Sequence, residues 1–126
     1  MQLQIVDDLP FVTVHASYQG SEIEIPNVLV DTGSAATIFA VDVLSRIGIT
    51  PRFDDEVHFV RGVGGRELVF VRELDKLQVG SQSLESFTIQ ISGMDYGFTI
   101  GGILGMDFLR GTGAVINLGT LEMRFT

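Results

Sequence analysis

Cysteine is absent from this 126-residue chain. That removes disulfides, a thiolate nucleophile and cysteine-ligated metal. Basic residues are scarce, with eight Lys and Arg against sixteen Asp and Glu, a formal charge of -8 and no basic cluster. Nucleic acid and anionic membrane surfaces attract positive patches, so neither is an expected partner. No apolar run approaches the roughly 18 residues of a membrane span. The stretch Met1 to Asp8 has neither a basic region nor a long apolar core, so no signal peptide is expected, and a cytoplasmic location is. His15 and His58 lie far apart with no ligand spacing around them, which leaves them as strand-surface or interface residues and implies no metal. Nucleotide motifs fail as well. Gly62-Val63-Gly64-Gly65 meets Glu67 where the dinucleotide fingerprint needs glycine, and no phosphate loop or nucleophile elbow is present. No cofactor is therefore expected.

What is present is 45% hydrophobic residues and 15 glycines, which excludes a disordered chain and suits a turn-rich β protein. The length is that of a single domain spanning residues 1–126, with room for a real core. Leu3, Ile5 and Val6 predict a short strand, and Phe11 to Tyr18 alternates into another before a turn at Gln19-Gly20-Ser21. Glu22 to Ile25 alternates again, Pro26 predicts a bend or edge, and Val28 to Val30 reads as a buried strand. Apolar residues at 41, 43, 44 and 47 fit a short helix closed by Gly48, and Pro51 forbids its continuation. Val57 to Val60 and Glu67 to Leu74 are the arms of a hairpin. Leu77 to Val79, Phe87 to Ile91 and Phe98 to Ile100 continue the strand pattern, Met106 to Leu109 is helix-like, and Ala114 to Phe125 closes as a hairpin about Gly119-Thr120. Many short strands with one or two short helices predict an all-β barrel.

The chemistry concentrates at Val28 to Ala36, Val-Leu-Val-Asp-Thr-Gly-Ser-Ala-Ala. An apolar strand delivers Asp31 to a tight turn, where Thr32, Gly33 and Ser34 supply hydroxyls and permissive backbone. A carboxylate in such a place needs hydrogen bonds to offset burial, and it suits acid–base work on water. An Asp that merely caps a turn or helix fits the same four residues. Downstream lie a glycine-rich tip, Arg61-Gly62-Val63-Gly64-Gly65-Arg66, and then Ile103-Leu104-Gly105 before the short helix.

Taken in that order, these three motifs resemble the retropepsin-like aspartic proteases, from about Phe11 to the C-terminus. The Leu-Gly-Met-Asp-Phe-Leu form at Leu104 to Leu109 looks most like the cellular and bacterial group, including the DNA-damage-inducible type. The resemblance implies an acid-protease barrel and an aspartic endopeptidase acting on extended polypeptides. Two carboxylates share one proton there and activate a water. With one Asp-Thr-Gly in the chain, the dyad can be completed only by a C2 homodimer. The resemblance makes Asp31 the catalytic acid, Thr32 a cross-dimer hydrogen bonder, Gly33 a close approach to substrate and Ser34 a donor to the outer oxygen of Asp31. It makes Gly62, Val63, Gly64 and Gly65 a flap over substrate, and places Ile103 and Leu104 near the dyad, one of them lining the groove. Plain alternatives stand beside these: a turn threonine, an ordinary hairpin tip, and core positions at Ile103 and above all Leu104. Viral members carry an acid and an arginine where this chain has Ala35 and Met106, so their bracing is not expected here, and Asp107 reads as a helix N-cap. The rival to an enzyme is the same barrel as a silent dimerisation or peptide-binding module.

Overall fold

The computed structural model describes residues 1–62, 65–93 and 100–126. Strand β1 (Gln4–Val6) leads into β2 (Leu9–Tyr18), where Phe11, Val12, Val14, Ala16 and Tyr18 are buried and His15 is exposed. Tyr18 faces Ser21 across Gln19 and Gly20, both at positive φ (48° and 83°), the two-residue turn whose twist suits a hairpin. Strand β3 (Ser21–Val30) then runs through Pro26 without ending. The expected bend is a bulge: the register against β2 shifts between Val12 and Val14, opposite Pro26 and Asn27, and Asn27 takes φ 56°.

A three-residue strand that sequence reasoning missed, β4 (Ile38–Ala40), precedes helix α1 (Val41–Leu44). A 3-10 turn, Ser45–Ile47, continues the helix and Gly48 ends it in the left-handed conformation at φ 82°. Strand β5 (Glu56–Gly62) pairs with β6 (Gly65–Val79), which is one 15-residue strand rather than two. Its far end, Lys76 to Gln78, pairs with β2 while its flank pairs with β7 (Gln82–Ser92). The expected strand at Phe98 to Ile100 falls mostly outside the described residues, and Ile100 itself is not in a strand.

Strand β8 (Gly102–Leu104) lies parallel to β3, with Val28 beside Gly102, Leu29 beside Ile103 and Val30 beside Leu104. The sheet order is β1-β2-β3-β8-β4-β7-β6-β5, and the β2–β6 pairing curls it onto itself into the expected all-β barrel. Val14, Ile25, Val28, Phe39, Leu44, Leu74, Leu77, Leu104 and Phe108 fill the core, each fully buried. Glycine at 102 leaves the space that the Phe39 ring occupies. Helix α2 (Met106–Gly111) closes the barrel through the edge-on contact of Phe108 with Phe87, ring centroids 5.7 Å apart. Strands β9 (Ala114–Asn117) and β10 (Glu122–Phe125) form the closing hairpin, and Met1 to Leu3 lie along the other side of β10. Among the described residues no helix is long and apolar enough to cross a membrane.

Candidate active site

The parallel register of β3 and β8 decides where the chemistry sits. Val30 and Leu104 end their strands side by side, so Asp31 and Gly105 emerge at the same end of the barrel. The Asp31 N–H donates to Leu104 O at 3.0 Å, tying the two strand ends together. The chain then turns: the Ser34 N–H donates to Asp31 O at 3.2 Å and the Gly33 N–H to Asp31 Oδ1 at 2.9 Å. A Cβ on residue 33 would stand 3.2 Å from that same carboxylate oxygen, so glycine keeps the donor close and the acid uncrowded. Asp31 is half-buried, while Thr32 and Gly33 are exposed at the crest of the turn.

The rest of the turn is clamped from the β8–α2 junction. The Met106 N–H donates to Ser34 O at 2.8 Å and the Asp107 N–H to Ala35 O at 3.2 Å. Gly105 packs against the main chain of Ala36 so closely that any Cβ would collide with its carbonyl. The expected role of Ser34 needs correction in the single chain. Its hydroxyl donates to Ala36 O at 2.7 Å, not to the outer oxygen of Asp31, because the turn brings that carbonyl back under Ser34. A second expectation is overturned outright. Asp107 is not the N-cap of α2, a position held by Gly105 without a side-chain bond. It lies in the first turn, and its carboxylate accepts from the Thr37 N–H (3.0 Å), the Thr37 hydroxyl (2.7 Å) and the Phe108 N–H (2.8 Å). The partnership with Thr37 spans 70 positions and left no mark in the sequence pattern.

Leu104 is fully buried in the core, while Ile103, 6% exposed, is buried outside that main cluster beside Ile38. Of the glycine-rich tip, Gly62 and Gly65 form the last rung of the β5–β6 ladder, and Val63 and Gly64 lie outside the described residues. Beside Thr32, a concavity of about 360 Å3 opens between α2 and β9, lined also by Met106, Leu109, Arg110, Ala114 and Ile116. The expected site residues thus divide. Asp31, Thr32, Gly33 and Ser34 share one turn with Ile103 and Leu104 at its base.

Comparison with known proteins bears on this arrangement. A family model described as aspartyl protease matches residues 14–108. The fold is similar to a solved structure of EIAV protease complexed with the inhibitor HBY-793, at 19% sequence identity and TM-score 0.65, over 90% of this chain and 96% of that one. At that identity the likeness is one of fold. No curated protein matches the chain.

Proposed function

The chain belongs to the aspartyl protease family, a retropepsin-like aspartic endopeptidase by family and fold, and from that premise we propose that it acts as a C2 homodimer in which two copies of Asp31 share one proton and activate one water. The observation that carries this is the isolation of Asp31. Its carboxylate sits on an exposed turn with one N–H donor among the described residues, and the acid of the adjoining helix, Asp107, has both oxygens committed to donors. Among the described residues no second acid is thereby free to complete a pair at that turn. One carboxylate of the assembled dyad takes a proton from water while the other polarises the scissile carbonyl, and the pair titrates as a unit.

Two features support the dimer. Thr32 is exposed beside the apolar concavity formed with α2 and β9. Strand β9 has β10 on one side and, among the described residues, no strand on the other. The Thr126 N–H bonds Gly113 O, so Gly113, Val115 and Asn117 turn their main-chain groups to β10, while Ala114 and Ile116 point theirs to the open edge. A second copy pairing there would extend the sheet and bring the two Thr32 turns together about the two-fold axis. Residues 1–3 already spend one edge on β10 of their own chain, which makes β9 the better interface strand. Substrate would lie as an extended strand between the turn and the Gly62–Gly65 flap, held largely by main-chain hydrogen bonds, with Ile103 lining the groove and Leu104 supporting Asp31 from the core. The test is cleavage of a mixed peptide library by the wild type, lost in a folded, dimeric Asp31→Asn protein. The silent-module reading predicts no cleavage by either.

A further inference from the structure

Thr37 is 0% exposed, yet all of its polar groups are used. Its N–H and hydroxyl donate to Asp107, its Oγ1 accepts from the Gly105 N–H at 3.1 Å, and its carbonyl accepts from the Gln90 N–H at 3.0 Å. One residue thus joins the exit of the Asp31 turn, the β8–α2 junction and β7. The anchor of that knot is the Asp107 carboxylate. A helix cap would serve the N–H groups of its own helix, but Asp107 gives Oδ2 wholly to Thr37 and shares Oδ1 between Thr37 and Phe108. All three partners are donors, so the site requires an acceptor at both oxygens.

The turn from Asp31 to Thr37 is consequently fixed at its entry by Leu104 O, in its middle by the Met106 and Asp107 N–H groups, and at its exit by the Asp107 side chain. We propose that Asp107 is a positioning residue for the catalytic turn, acting through Thr37 to hold Asp31 where a partner's copy can meet it. This rests on the protease reading above. In this role Asp107 sets the geometry within which Asp31 works. Displacement of a reacting group by about 1 Å can cost about a hundredfold in rate.

Asp107→Asn keeps the shape but turns an NH2 group toward one of the donors. Thr37→Val removes the hydroxyl, and Thr37→Ser restores it. At protein concentrations that saturate the dimer, Asp107→Asn and Thr37→Val should each lower kcat about 10- to 100-fold with KM changed by less than about twofold. Thr37→Ser should stay near wild type. The double variant should be no worse than the worse single one, because both break the same contact. Amide exchange at Asp31 and Met106, read by NMR, should quicken in both impaired variants. A folded Asp107→Asn protein that retains kcat within about threefold, or single losses that multiply in the double variant, overturns the proposal. If Asp107→Asn does not fold, the Thr37→Val and Thr37→Ser pair decides by the same criteria. If the wild type cleaves no peptide, the protease reading falls, and unchanged exchange would separately refute the positioning.

Discussion

Arg72 and Asp55 form an ion pair at the root of the β5–β6 hairpin, and removing its charge should destabilise the fold measurably. Arg72 Nη2 lies 2.6 Å from Asp55 Oδ1 and also donates to Thr50 O at 3.1 Å, with the two side chains only 9% and 6% exposed. Asp55 Oδ2 accepts from the Arg52 N–H, closing the turn that leads into β5. Arg72 Nη1 is buried and makes no hydrogen bond among the described residues, so the guanidinium is left chiefly with Thr50 O if the carboxylate loses its charge. Breaking a buried pair by removing one partner costs about 3–5 kcal/mol. Arg72 keeps Thr50 O, and the 52–55 turn is at the surface, so we take about 3 kcal/mol, on the order of a hundredfold in the unfolding constant. The sign with pH follows from the carboxyl. Burial pushes Asp55 up, but the Arg52 N–H and the Arg72 guanidinium outweigh it and hold the carboxyl below its ordinary value. A depressed folded value gives stability that is complete above the ordinary carboxylate value of about 3.9 and is lost as pH falls through the lower folded value. Urea unfolding of wild type and Asp55→Asn at fixed protein concentration should show a constant gap from neutral pH to about pH 4, closing in stronger acid. Replacing both partners, as Asp55→Leu with Arg72→Met, should recover most of the loss, since hydrophobic substitutes often match a buried pair. A cost under about 0.5 kcal/mol at pH 7, or a gap that persists undiminished in acid, would refute the reasoning.

Gly105→Ala should cost about 1–3 kcal/mol in urea unfolding because its Cβ has no room beside the Ala36 carbonyl. The backbone there (φ -97°, ψ -177°) suits alanine, so the whole cost is one of space, and an undiminished stability would show that the turn can yield. Ser34→Ala should leave both limbs of the pH–rate profile in place, since the hydroxyl serves Ala36 O, while lowering the peak rate through a looser turn. A shift of either limb would place that hydroxyl on the Asp31 carboxyl in the working dimer.

Much of this arrangement was legible because burial on one face of a strand writes period two into the chain, as it does in β2. The turn at Gln19-Gly20 and the stop at Gly48 were legible for a different reason: each needs a positive φ that glycine supplies cheaply. What escaped detection depends on partners distant in sequence. Strand β6 looked broken around Asp75 because its neighbours change along its length, from β5 to β2, and exposure changes with them. Strand β4 has three residues, too few to show a period. In the site, Asp31, Thr32, Gly33 and Ser34 are contiguous, and local chemistry marked them. The Thr37–Asp107 and Asp55–Arg72 pairs join positions 70 and 17 apart, and nothing in either local stretch names the other. The hydroxyl of Ser34 was misdirected because its choice between Asp31 and Ala36 O depends on how tightly the turn closes.

The central claim is that each active site takes one Asp31 from each of two chains. Mixing tests it directly: wild type at fixed concentration, with increasing amounts of Asp31→Asn protein, allowed to exchange subunits before peptide cleavage is measured. Each heterodimer carries one competent acid and should be inactive, so an equal amount of the variant should lower activity to about half, and larger excesses toward zero. Activity unchanged by excess Asp31→Asn protein, with subunit exchange verified by mass measurement of the mixed dimers, would contradict the shared dyad.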